Sequence, residues 1–168
     1  MEQQQQIEAL EERVSHLSSL LEDINKRSHE EVAELRRRVV SLKDASDTET
    51  SIAELLAMRD QMNSISFTLQ ESEAAYNRMR LNSEHFYKES ERRLIEKLSD
   101  AMPVNRAEVK AKLTTLEIRK IHIDASALYE DFKGLRFVVK ESVEGLQQRI
   151  AVLRREEELS RMRESSHA

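Results

Sequence analysis

The chain of 168 residues carries 35% charged residues, only 4% aromatics, two glycines, one proline and no cysteine. The missing cysteine excludes disulfides, thiolate metal sites and cysteine nucleophiles, and the scarcity of Gly and Pro leaves few places to turn. A formal net charge of −5 argues against a dedicated nucleic-acid binder, and no run of about 18 apolar residues is present to cross a membrane.

Such a chain is either disordered or built of long helices. The hydrophobic fraction of 39% recurs in register, which selects helices. The expected fold class is all-α: three long amphipathic helices forming an elongated coiled coil or helical bundle. The polar, acidic start and the lack of a lipidation box predict no signal peptide or lipid anchor, hence a soluble cytoplasmic or nuclear protein.

The first helix is expected within 1–44. Ile7, Leu10, Val14, Leu17, Leu21 and Ile24 alternate spacings of three and four, a heptad a/d stripe. The step through Ser28 to Val32 and Leu35 locally unwinds it, and Val39 and Leu42 resume it. This helix either packs on the following helices as a third member or makes its own parallel coiled-coil dimer. So clean a stripe favours pairing between chains, and these ten apolar residues are the expected oligomer interface. Arg36, Arg37 and Arg38 form a basic cluster that reads as a solvated face or a contact for an anionic partner.

Residues 45–50 read as a linker, because no apolar residue larger than Ala occurs from Lys43 to Ser51. Ser51-Ile52-Ala53-Glu54 has the capping-box form and predicts a helix start at Ser51. The second helix is expected over 51–101. Its seam passes through Leu55, Met58, Met62, Ile65, Leu69, Ser72, Tyr76, Met79, Ser83, Phe86 and Ser90, continued by Leu94 and Leu98. Serines interrupt it and methionines fill it, so it is less well specified than the first.

Pro103 is the only proline. It lacks an N–H and disfavours the α region for Met102. Asn105-Arg106-Ala107-Glu108 resembles a fresh capping box with Asn105 as N-cap. A stop, a proline and a cap predict an antiparallel hairpin of 51–101 and 105–163, together one helical-hairpin domain over 51–163.

The third helix is expected to open with Val109, Leu113 and Leu116 and to continue inward with Ile118, Ile121, Ala125, Leu128, Phe132, Leu135, Val139, Val143, Leu146, Ile150 and Leu153. The predicted hairpin core is Leu55, Met62, Ile65, Leu69, Phe86, Leu94, Leu98, Leu113, Leu116, Ile121, Leu128, Phe132, Leu135, Val139, Leu146, Ile150 and Leu153. Ile123, Phe137, Val138 and Val152 widen the apolar arc and suggest two neighbours. Gly134 and Gly145, in similar settings, suggest a close helix approach or a bend. Residues 164–168 are expected to fray.

No phosphate-loop, dinucleotide or zinc-protease pattern occurs, and the five histidines are scattered. The expectation is therefore a non-enzymatic protein with no catalytic residue, no cofactor, no metal and no small-molecule substrate. Its expected partners are itself, as a homodimer or higher oligomer, or other coiled-coil proteins. It would scaffold a larger complex, such as a cytoskeletal, axonemal or kinetochore assembly. A membrane-surface tethering or BAR-like dimer and a nucleic-acid-associated scaffold are the alternatives. The first needs a continuous basic face, against which interleaved charges argue, and the second needs salt-sensitive binding.

Overall fold

A computed structural model describes residues 2–42 and 48–166, without the side chains of Glu2, Gln3, Arg36, 39–42, Thr48, Glu49 and Ser166. The fold is all-α. Four helices follow one another: α1 (Glu2–Leu42), α2 (Thr48–Ser99), α3 (Val104–Thr114) and α4 (Leu116–Ser166). Among the described residues only 100–103 and Thr115 are not helical, and there is no strand.

The second helix ends at Ser99 rather than 101. The last runs to Ser166 rather than 163, and so through the first residues of the tail expected to fray. Three further boundaries differ from expectation. The second helix starts at Thr48 rather than Ser51, so Ser51 is a buried residue inside the first turns and not a cap. The part of the expected linker before Thr48 lies outside the described residues. At the hairpin, Pro103 itself is the N-cap, with φ −54° and ψ 141°, and no side-chain cap bond forms. The Asn105 capping box is not built. The Pro103 carbonyl accepts from the N–H of Arg106 at 2.9 Å and of Ala107 at 3.1 Å, so main chain rather than a side chain engages the start of the helix. The carbonyl of Leu98 closes α2 by accepting from Ala101 and Met102, both at 3.0 Å.

The third difference is a break at Thr115, where one helix was expected. Its N–H still donates to Ala111 at 3.0 Å, and its own carbonyl accepts from Arg119 at 2.9 Å. Its hydroxyl also bonds the Ala111 carbonyl, at 2.9 Å, and reaches that of Lys112 at 3.4 Å. A hydroxyl inserted into the ladder in this way bends a helix.

The chain divides into two compact units, Met1–Glu22 with Ser72–Lys133, and Asp23–Glu71 with Gly134–Ala168. The division crosses all three long helices, so neither unit follows the helix boundaries read from sequence.

In the first unit α2 and α4 run antiparallel. Tyr76 stacks on Phe132 with centroids 4.5 Å apart, the Arg80 guanidinium sits over the Tyr129 ring, and Tyr87 lies parallel to His122. As α2 advances, α4 retreats, as a hairpin about Pro103 requires. Tyr76 also joins the third partner: its hydroxyl donates to the Leu17 carbonyl of α1 at 2.9 Å. One side chain thus ties three helices. Burial raises its pKa above the usual tyrosine value. Ile7, Leu17 and Leu21 are buried in the chain's own fold.

In the second unit Leu55, Met58, Met62, Ile65 and Leu69 of α2 are buried, as are Leu135, Val139, Val143, Leu146 and Ile150 of α4. Full burial of one such side chain contributes about 1.5–3 kcal/mol. On α1, Val32 and Leu35 are half-buried. Leu35 shares a hollow with Met58 and Met62.

Candidate functional site

The ten residues expected to form an oligomer seam are not free to do so as a set. Ile7, Leu17 and Leu21 are buried, and Leu10, Val14, Ile24, Val32 and Leu35 are half-buried. The side chains of Val39 and Leu42 lie outside the described residues. The buried part of the stripe is used within the chain, where Leu17 lies by Tyr76 of α2 and, in the other unit, Leu35 by Met58 and Met62.

The hairpin core is as expected at Leu55, Met62, Ile65, Leu69, Ile121, Leu128, Phe132, Leu135, Val139, Leu146 and Ile150, all buried. Phe86, Leu94, Leu98 and Leu153 are half-buried. Leu113 and Leu116 are corrections. They are 63% and 53% exposed, and Val109 beside them is 60% exposed. The inward face here is Ala107, Ala111, Thr115 and Ile118, spaced 4, 4 and 3 and all buried. Small residues let this part of the hairpin close tightly after the turn, which rotates the larger aliphatics outward.

The result is a second stripe. Val109, Leu113, Leu116 and Ile123 are exposed, with Ala127 next in register. Their spacing of 4, 3, 7 and 4 keeps a heptad. Lys120 occupies the position skipped between Leu116 and Ile123, and Arg106 the equivalent one before Val109. Lys112 and Arg119 flank one edge of the stripe, while Lys110, Glu117 and Asp124 flank the other. An apolar face this regular, left to solvent, is the feature most in need of a partner.

An open groove of about 670 Å³ runs beside it, between α1 and α4. Ser15, Ser18 and Ser19 are too small to fill it, and Glu11, Glu22, Asp124 and Asp131 make its walls acidic, with Lys120 the one cation. It is a trough between helices, without the enclosure or convergent polar groups of a small-molecule pocket.

A polar cluster lies at the α2–α4 seam. Arg80 pairs with Glu84 at 3.6 Å, and Lys88 bonds the same carboxylate at 2.6 Å. The Lys88 hydrogen bond first, then the nearby charges, hold Glu84 below the usual carboxylate range. Arg80 Nε and His122 Nδ1 are buried without a hydrogen-bond partner among the described residues. On the exposed side of α2, Arg92 and Arg93 both bond Glu89, at 2.8–3.1 Å, and lower its pKa to about 2.

The arginine cluster of α1 is partly neutralised: Arg38 bonds Glu34 at 2.8 Å and Arg37 pairs with it at 3.1 Å. These bonds, Arg38's first, lower the Glu34 pKa. Of the two readings of the glycines, the close approach is not found among the described residues. A methyl group at Gly134 or Gly145 would meet nothing within 4 Å, so neither supports a close approach within the chain. Ile123, Phe137, Val138 and Val152 are exposed rather than placed against a second neighbour. Among the described residues no group of three His, Cys, Asp or Glu is arranged to hold a metal ion, and no helix is long and apolar enough to cross a membrane.

No family model, curated protein or solved structure matches this chain.

Proposed function

We propose that the protein is a non-enzymatic assembly module that joins a larger protein complex through its helical faces, in the cytoplasm or nucleus. The observation that carries this reading is the uncovered heptad stripe Val109–Leu113–Leu116–Ile123. The buried seams are covered by the chain itself, and this stripe is a regular apolar face left open to other molecules. Spacing of this kind suits a helix as partner, because knobs at a and d fit holes between helical side chains. Cytoskeletal, axonemal and kinetochore assemblies are the settings in which such a module would serve.

The membrane-surface alternative requires a continuous basic face. Glu108, Glu117 and Asp124 interrupt this one, and its apolar residues include no aromatic side chain. The nucleic-acid alternative meets the same obstacle with a net charge of −5.

The test is in-cell cross-linking through Lys112 and Lys120, with wild type compared against Leu113→Glu/Leu116→Glu. Both substitutions lie on solvent, so the fold is retained. Cross-links to helical protein segments that disappear in the variant support the reading. An identical cross-link pattern in both proteins would sink it.

A further inference from the structure

We infer that the outward stripe of α3 and α4 binds a second copy of this chain, antiparallel, about a two-fold axis near Ile118. This rests on the assembly reading and names its partner. The charges along the stripe are complementary to those of its own reversed copy. Its two ends differ in sign: Arg106, Lys110 and Lys112 lie toward Pro103 and Asp124 and Glu130 toward the other end, with Glu117, Arg119 and Lys120 between them. The face therefore has a basic end and an acidic end, each exposed.

Three ways of filling it can be compared. A parallel second copy stacks Arg106 on Arg106 and Lys120 on Lys120 in the middle of the seam. Like charges there oppose pairing. A uniformly acidic foreign helix satisfies the first half and is repelled by Asp124 and Glu130. An antiparallel copy centred near Ile118 satisfies both ends. It brings like charges together only at the solvated flanks beside the axis, Glu117 by Glu117 and Arg119 by Arg119. Leu113 meets Ile123, Val109 meets Ala127, and Arg106 meets Glu130, each pair made twice by symmetry. At the flank Lys110 meets Asp124. Near the axis the aliphatic stem of Lys120 lies on Leu116 while its ammonium reaches Glu117 of the other copy. In the single chain Glu130 is held by Lys133 at 2.7 Å, an exposed pair of little worth that can exchange. The serine-lined groove opens beside the stripe and leaves room for the incoming helix.

The absence of native cysteine makes this register directly readable. Light scattering of the wild type is expected to give twice the monomer mass. Leu113→Glu/Leu116→Glu is expected to halve that mass with helicity and melting temperature of the single chain retained. Leu113→Cys/Ile123→Cys in one chain is expected to oxidise to a covalent dimer. Each single cysteine variant is expected to link at least tenfold less, because its two copies sit about 15 Å apart along the axis. Single variants that link as well as the double one would show a parallel seam and overturn the proposal. A wild type that stays monomeric would also overturn it. Stripe-dependent cross-links to a different helical protein would then leave the assembly reading standing. Stripe-dependent binding to phosphatidylserine vesicles by a monomer would overturn both.

Discussion

The Tyr76 hydroxyl spends its one proton on a backbone carbonyl of another helix, and its ring lies on Phe132. The Leu17 carbonyl lies within a helix, where a backbone N–H four residues on can still serve it. Tyr76→Phe should therefore cost only about 0.5–1.5 kcal/mol, whereas Phe132→Ala, which empties a fully buried site, should cost about 3–5 kcal/mol in urea denaturation. Glu89 gives a pH signature. Its folded pKa is depressed, so its stabilising contribution is complete above the ordinary carboxylate pKa and is lost as pH falls through about 2. Glu89→Gln should lower the melting temperature slightly at pH 7, and the gap from wild type should close on acidification. Gly134 and Gly145 are helical, have no positive φ and face open space. Each replaced by Ala should gain up to about 1 kcal/mol, seen as a raised urea midpoint, because the helix then loses less backbone entropy on folding.

Elements differed in how well the sequence announced them. The α2 seam was readable residue by residue from Leu55 to Met79, and the α4 seam from Ile118 to Ile150, because large apolar residues there face only one way. The start of α3 was not readable in this manner. Two stripes compete: Val109, Leu113 and Leu116 against Ala107, Ala111 and Thr115. Hydrophobicity alone chooses the larger residues, while geometry after a tight turn chooses the smaller. The usable signal was the unbroken 4, 4, 3 spacing of small residues that leads into Ile118. The two faces predict opposite responses in the monomer. Ala111→Leu should overpack the seam and cost about 1–3 kcal/mol, and Leu113→Ala should change stability by less than about 0.5 kcal/mol. Chemical denaturation of the two variants at low concentration checks both.

For the whole molecule, composition and periodicity were enough to establish an all-α chain of long helices. They did not establish where each apolar stripe is used. The clean heptad of α1 carried no mark to distinguish a partner in the same chain from one in another, since both satisfy knobs and holes equally. Effective concentration decided it, because α2 is tethered to α1 and a second molecule is not. Among the described residues the stripe of α3 and α4 has no such tethered partner. If it pairs through alternating charge, the assembly should weaken with salt: the dimer fraction seen by light scattering should fall between 0.05 and 1 M sodium chloride as screening shortens the reach of each pair.

The three-way tie at Tyr76 also limits how this chain can change in length. Within its unit, α2 is read on one side by α1 and on the other by α4. Removing one residue from the middle of α2 would turn its seam by about 100° away from both helices at once. Removing seven would restore the face but carry Tyr76 a full two turns from Leu17 and Phe132. Viable insertions and deletions in α2 should therefore come only with matching ones in both neighbours.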